Sequence, residues 1–355
     1  MSERSNVRLF VLGALMLSLV LTLLGRLFYL QVMTGEDYKV AAVKNTVREV
    51  VEPAVRGLIL DQAGRPLVSN RTSLVITVDK IELSREPDGG GAVIERLGRI
   101  LDLPAEGIAD RLKSCGSEDA KPPPVCWNGS PYQPVPIAQD VDPQKALTII
   151  EQGRLYRGVA ARLDAIREYP APFNVNAAHL LGYLGPVTEE QLDEQGPTTA
   201  SDRLRRTDVV GRSGLEAYYD EEVRGKPGVT TLAVDTAGRV TGTLEQFDPE
   251  PGHYLISSLD AHLQSVVEDQ LVRAVQRAQR QGNPGDSGAA VVVDVKTGRI
   301  LAMASYPTYD PSIWVGGVTQ KQFEKLMDSG SLASNATQGI FAPGSTYKVV
   351  SILAA

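Results

Sequence analysis

The strongest constraint on this chain lies near its start. Residues 9–25 (LFVLGALMLSLVLTLLG), about 17 in a row, carry no charge, and residues 27–30 continue the apolar run beyond Arg26; roughly 20 apolar residues cross a bilayer as a helix. Residues 9–30 are therefore expected to span a membrane once. Arg4 and Arg8 outweigh Glu3 ahead of the run, and Arg26 has a stem long enough to reach the headgroups. The positive-inside rule then places residues 1–8 in the cytoplasm and the bulk of the chain outside the cell membrane. A cleaved signal peptide and a buried core helix are the competing readings. Against the first, the run exceeds the usual 7 to 15 residues of a signal sequence and lacks a small-x-small cleavage site.

The 355 residues allow two or three domains. Lys and Arg number 36 against 43 Asp and Glu, a net charge of −7, which argues against a nucleic-acid partner because such surfaces need clustered Lys and Arg. His179, His253 and His262, with Cys115 and Cys126, are too few and too scattered for a zinc cluster, so no metal site is expected. Both cysteines fall on the expected exterior and bracket part of a Pro-rich stretch, residues 104–143. A disulfide closing that loop of about 12 residues would contribute roughly 3 kcal/mol in the chain-entropy model; two unpaired thiols are the alternative.

Alternation and β-branched content predict strands over residues 47–55 (broken at Pro53), 58–61, 74–79, 159–169, 232–234 and 254–257. Helical spacing predicts helices over 92–101, from about 146 to 151, and over 177–184. Thr188-Glu-Glu-Gln191 has the form of a capping box. Asp260 is placed to cap a helix reaching about Gln281, with Leu263, Val266, Val267, Leu271 and Val275 on its apolar face. Residues 104–143 read as an irregular, extended excursion. Gly282-Asn-Pro-Gly285 marks a domain boundary, after which residues 289–295 read as a buried strand and 299–305 return as its hairpin partner. A final apolar helix is expected from about Ser345.

Phe341-Ala-Pro-Gly-Ser-Thr-Tyr-Lys348 carries Ser-x-x-Lys, a pattern that occurs by chance about once in a chain of this length. Its context adds weight. Pro343-Gly344 makes a turn, which sets Ser345 at a helix N-terminus. Positions i and i+3 share a helix face, so the Lys348 amine can reach the Ser345 hydroxyl. An apolar helix implies a buried Lys348, and desolvation favours a neutral amine able to act as general base. Unpaired N–H groups at the helix start can hold a developing oxyanion. The plainer reading is that Ser345 only caps the helix and Lys348 is a surface residue.

With these residues in view, residues 336–348 (ATQGIFAPGSTYK) resemble the first active-site motif of penicillin-binding proteins. The resemblance extends upstream. Arg56-Gly-Leu-Ile-Leu-Asp61 with Gly64 and Leu67, Arg167-Glu-Tyr-Pro170, His179-Leu-Leu-Gly-Tyr183 and residues 211–220 (GRSGLEAYYD) with Arg224-Gly225 resemble the family's N-terminal boxes, in order. The boxes are read as structural: glycines for turns, Arg and Glu for interdomain pairing. Ser334-Asn335 departs from the family's usual Asn-Arg, and the family's Ser-x-Asn and Lys-Thr-Gly motifs do not occur after Ser345, so the chain reads as C-terminally truncated. Lys296-Thr297-Gly298 precedes the nucleophile and is read as a hairpin turn.

The resemblance implies a class B, elongation-type penicillin-binding protein of mixed α+β class, serving cell-wall synthesis and cell shape. Its expected parts are a tail (1–8), a transmembrane helix (9–30), an elongated β-rich pedestal (31–258), a connecting helix (259–285) and the first part of a transpeptidase α/β domain (286–355). By the same resemblance, Ser345 is the acyl-enzyme nucleophile of a peptidoglycan D,D-transpeptidase, Lys348 is its base, and no metal or organic cofactor takes part. Stem peptides of peptidoglycan, β-lactams, membrane lipid and a SEDS-type glycosyltransferase are the implied partners. Competing readings are a non-catalytic membrane scaffold, a division-type enzyme, and a β-lactam sensor or serine β-lactamase; the long pedestal argues against the last two. The truncated chain alone is expected to be inactive.

Overall fold

A computed structural model describes residues 3–30, 47–121, 125–129, 133–196, 198, 202–235, 240–318 and 320–354; side chains of residues 3–11, 48 and 320 are not described. In chain order the N-terminal half contains α1 (Glu3–Phe28), β1 (Val47–Glu52), β2 (Ile59–Leu60), β3 (Pro66–Val78), α2 (Lys80–Ser84), α3 (Gly91–Leu101), α4 (Ala105–Leu112), β4 (Val135–Ala138), α5 (Pro143–Glu151) and β5 (Val159–Glu168). There follow α6 (Ala178–Leu181), β6 (Leu184–Pro186), α7 (Glu189–Glu194), β7 (Val209–Gly211), α8 (Gly214–Tyr218), α9 (Asp220–Arg224), β8 (Gly228–Val234) and β9 (Val240–Phe247). The last part holds β10 (Leu255–Ile256), α10 (Ala261–Arg280), β11 (Gly288–Val293), β12 (Ile300–Tyr306), α11 (Gln320–Asp328) and α12 (Lys348–Ala354). The fold is mixed α+β.

The chain divides into two compact units. One comprises residues 1–51 and 229–247. It holds α1 and a three-stranded sheet ordered β1-β8-β9, in which β8 and β9 are antiparallel from Val229↔Phe247 to Val234↔Val240. Helix α1 runs unbroken for 26 residues, and its leucines and valines from Leu12 onward are exposed. Among the described residues, however, no helix is long and apolar enough to cross a membrane. The expected span of 9–30 is thus not confirmed; Arg26 interrupts the apolar run within the last turn of α1. Strand β9, unanticipated in the sequence, is exposed along its whole length.

The other unit, residues 52–228 and 248–355, is organised by β3, whose 13 residues pair with β2, β4 and β5. Its antiparallel ladder with β5 runs from Ser69↔Glu168 to Val78↔Val159. Ile76 and Val78 pack with Leu83, Val93, Leu97, Ile108, Leu112 and Ile149 in one core, so α2, α3, α4 and α5 all cover this end of the sheet. Here the expectation of an irregular 104–143 segment is corrected. Ile108 and Leu112 stand one turn apart and are buried, which makes 105–112 a helix; its short length hides the periodicity among the surrounding prolines. Buried Asp110 then receives Lys113 and Lys121, and Cys115 is bonded to Cys126. Pro122 to Pro124 and Pro131 lie outside the described residues.

Three separated boxes meet at Glu216, whose side chain is fully buried. Arg56 Nε donates to one carboxylate oxygen at 2.8 Å and Arg167 Nε to the other at 2.9 Å. Arg56 also reaches Asp220 at 2.6 Å, and Asn70 bridges the arginines by accepting from Arg167 and donating to the Arg56 carbonyl. The sequence pointed to pairing of box Arg and Glu residues between domains; the junction instead lies within one unit. Beside it, Gly182 has φ +81°, and a Cβ there would lie 1.8 Å from the Ser213 carbonyl oxygen, so α6 and α8 approach only through glycine.

A second core joins Ile59, Leu67, Val68, Val175 and Leu181 to Leu259 and Ala261 at the start of α10. Asp260 caps that helix through the His262 and Leu263 N–H groups, and Thr188 and Gln191 form the expected capping box of α7. In α6, His179 Nε2 lies 2.7 Å from the Ser331 carbonyl oxygen and its ring meets Tyr309 edge-on. Burial pushes His179 below its ordinary pKa, opposed by the Ser331 contact and by Glu268.

These contacts have two measurable consequences. Glu216→Ala strands two buried guanidinium groups and should lower unfolding stability by about 3–5 kcal/mol in urea titrations; a loss under about 1 kcal/mol would contradict the pairing. For His179 the folded-state pKa is the lower one, so the unfolded chain takes up the proton first. Stability should therefore fall as pH drops below about 6.5, and His179→Gln should flatten that part of the stability–pH curve. An unchanged slope would show that His179 does not titrate with unfolding.

Candidate active site

The site is built on the hairpin of β11 and β12, antiparallel from Gly288↔Tyr306 to Val293↔Ile300. Its turn contains Lys296-Thr297-Gly298. Asp294 accepts from the Lys296 N–H at 2.9 Å and the Thr297 hydroxyl at 2.7 Å, and Gly298 supplies φ +73°. All three residues serve the turn, in agreement with the sequence. Residues 289–295 were expected to form a buried strand, but the side chains of β11 alternate, Val291 and Val293 being 46% exposed, and Val295 lies beyond the strand at 96% exposed. Only the face toward α10 is covered.

The expected apolar stripe of α10 is largely inward, with Val275 buried and Leu263, Val267 and Leu271 half-buried, and polar groups add a grip on β12. Val266 is 44% exposed, whereas Gln264 is fully buried. The Gln264 amide donates to the Met303 carbonyl at 2.8 Å and accepts from the Met303 N–H at 2.6 Å, closing a two-bond clamp on the strand. One turn later Glu268 accepts from the Gln264 amide and from the backbone N–H groups of Asn176 (2.8 Å) and Ala177 (2.7 Å). That loop needs holding. Ala171, Phe173, Asn174 and Ala177 all have positive φ, a costly conformation for residues with a Cβ. Asn176 extends the network to the Tyr309 carbonyl and the Thr308 hydroxyl, both at 2.8 Å. A cavity of about 40 Å³ sits here, lined in part by Asn176, His179, Glu268, Met303 and Ser305. Hydropathy gave no sign of this network; the polar pair at i and i+4 within an amphipathic helix was the available signal.

The chain then crosses back to the hairpin. Asn335 donates its backbone N–H to the Ser305 hydroxyl and its side-chain N–H to the Tyr306 carbonyl, each at 2.8 Å. Thr337 and Gln338 close a turn on the Ser334 carbonyl. Beyond Pro343, residues Gly344–Tyr347 form one 3-10 turn that runs into α12. Ser345 is thus in the first turn, as the sequence predicts, and the Lys348 N–H donates to the Ser345 carbonyl. Pro343 occupies the N-cap of that turn and has no side-chain group to cap it.

The structure places Ser345 and Lys348 three residues apart at the head of α12 but leaves both exposed, without a hydrogen bond between hydroxyl and amine. The expected burial of Lys348 is therefore corrected. Val349, Val350, Ile352 and Leu353 are 50–83% exposed, so the apolar character of α12 is real but nothing among the described residues covers it. Among the described residues no group of three His, Cys, Asp or Glu side chains is arranged to hold a metal ion.

Comparison with known proteins extends this picture. Residues 51–257 match the family model of the penicillin-binding protein dimerisation domain, and residues 288–355 match that of the penicillin-binding protein transpeptidase domain. The chain is 29% identical over 341 residues to the peptidoglycan D,D-transpeptidase MrdA of Escherichia coli strain K12, covering 95% of this chain and 49% of that relative. It superposes with TM-score 0.63 and 22% identity on a chain of a complex between penicillin-binding protein PBP2 and MreC from Helicobacter pylori, covering 86% of this chain and 51% of the other. A further likeness, at TM-score 0.53 and 28% identity over 96% of this chain and 54% of the other, is to a chain from a peptidoglycan synthase complex described as coordinating polymerization and crosslinking. The chain spans about half the length of the relatives it matches. The dimerisation-domain match covers more than half of these 355 residues, and the buried Arg56–Glu216–Arg167 junction unites three of its boxes: the chain belongs to the penicillin-binding protein family.

Proposed function

We propose that the protein carrying this chain is a serine-type peptidoglycan D,D-transpeptidase in which Ser345 is the nucleophile and Lys348 the general base. The observation that carries the reading is the transpeptidase match over residues 288–355, which includes both residues at the head of one helix. Ser345 Oγ bonds to the carbonyl carbon between the two terminal D-Ala residues of a stem peptide while Lys348 Nζ takes the hydroxyl proton. The backbone N–H of Ser345 faces the developing oxyanion. The carbon–nitrogen bond then breaks, and the proton held by Lys348 passes to the departing D-Ala amine. An amine of a neighbouring stem peptide attacks the ester, and its proton returns through Lys348 to Ser345 as the cross-link forms. A β-lactam follows the first half of this path and stays on Ser345 as a slowly hydrolysed ester.

The same reading assigns α1 as a single membrane anchor with the bulk of the protein outside. Support comes from the 26-residue length, about 39 Å at 1.5 Å per residue, and from the outward leucines beyond residue 12. Residues 31–258 act as pedestal, 259–285 as connecting helix and 286–355 as the opening of the catalytic domain. Work in wall elongation beside a SEDS-type glycosyltransferase fits the likeness to the synthase-complex chain. Catalysis needs Ser345 and Lys348 enclosed, and further protein has to cover α12 for that to happen.

In the full-length protein, fluorescent penicillin should label Ser345. Ser345→Ala should abolish labelling, and Lys348→Ala should slow it by about 10²–10⁴-fold. The 355-residue chain should take no durable label. Labelling that survives Ser345→Ala would contradict the assignment. Cell fractionation should recover the protein with membranes; recovery in the soluble fraction would contradict the anchor.

A further inference from the structure

Ser334-Asn335 lies about ten residues before Ser345, and the proposed transpeptidase chemistry gives that pair no role. We propose that Asn335 is a positioning residue for Ser345, fixing where the nucleophile helix starts relative to β12; this rests on the transpeptidase reading. Two bonds carry it. The Asn335 backbone N–H donates to the Ser305 hydroxyl and its side-chain amide donates to the Tyr306 carbonyl, both at 2.8 Å. These acceptors are the last two residues of β12, which is itself fixed by its ladder to β11 and by the Gln264 clamp at Met303. Asn335 therefore connects to the most constrained strand of the hairpin.

The segment C-terminal to Asn335 amplifies its position. The Gln338 N–H closes on the Ser334 carbonyl at 2.7 Å, and the Gln338 side chain returns to the Ser334 N–H, so residues 334–338 form one closed turn. A Cβ on Gly339 would stand 2.5 Å from the Asn335 carbonyl oxygen, so the chain folds tightly back over Asn335. From Gly339 to Ala354, hydrogen bonds among the described residues are local to the segment, as with the Thr346 N–H to Pro343 and the Ser351 hydroxyl to Tyr347. Asn335 is thus the last hydrogen-bonded tether to the hairpin before Ser345. Losing it frees the start of α12 to shift, and a displacement of about 1 Å at a reacting atom can cost as much as 10²-fold in rate.

The short side chain suits the task. Asn offers one amide N–H in the correct direction for the Tyr306 carbonyl while its own backbone stays within reach of Ser305. In Asn335→Asp the shape is kept but the donor becomes a carboxylate oxygen facing a carbonyl oxygen. Ser305→Ala removes the other acceptor and leaves residue 335 unchanged.

The test is stopped-flow acylation of the full-length protein by fluorescent penicillin, resolving the acylation rate constant from the preceding binding constant. Asn335→Asp and Ser305→Ala should each lower the acylation rate constant at least fivefold, with final labelling still one per molecule and binding constant and melting temperature near those of the unsubstituted protein. A structural defect alone would reduce the labelled fraction rather than the rate. If Asn335→Asp fails to fold, Ser305→Ala decides. A fall of less than fivefold in the decisive variant overturns the proposal. Absence of any label at Ser345 in the unsubstituted protein would instead sink the transpeptidase reading, so the two failures are distinguishable.

Discussion

One buried carboxylate organises the N-terminal part of this molecule. Glu216 has no exposed side-chain surface, and it holds Arg56 and Arg167 from segments far away in sequence. A charge withdrawn from water is tolerated only when its partners satisfy it, so the three segments are obliged to meet. Asp220 and Asn70 complete the coordination and bring α9 and β3 to the same place. With that junction set, β3 can carry its helices at one end while its partner β5 leads into the 171–177 loop toward α10 at the other.

From the loop onward the same logic recurs with neutral groups. Gln264 and Glu268, one turn apart, read backbone on two different elements, β12 and the Asn176 loop. Backbone recognition of this kind fixes register more than it adds stability, because each bond mainly replaces one to water. Asn335 ties the segment leading to Ser345 to the end of β12. A chain of polar contacts therefore runs from α10 through the strand to Asn335, ten residues before Ser345.

Much of this was legible in the residues themselves. Asp260 announced the start of α10, Thr188-x-x-Gln191 the start of α7, and the glycine after Lys296-Thr297 the hairpin. Arg and Glu of the boxes could be read as pairing residues, though not which ones meet or that they meet within one unit, and Cys115 with Cys126 as a bridge. Other features were not legible. Helix α4 is eight residues long and reveals itself only through the burial of Ile108 and Leu112. Gln264 looks like a solvent-facing residue until a strand arrives to occupy its amide. Exposure of α12 likewise depends on what lies against it, which composition cannot encode: an apolar helix predicts burial whether or not its cover is within the same residues.

The proposed transpeptidase activity requires Ser345 and Lys348 to act as nucleophile and base in one enclosed turn once α12 is covered. A crystal structure of the full-length protein after reaction with a β-lactam tests that most directly. Continuous density should join Ser345 Oγ to the opened lactam carbonyl, with Lys348 Nζ within about 3 Å of that oxygen and shielded from solvent. An ester on a different side chain, or a Lys348 amine turned away into solvent, would contradict it.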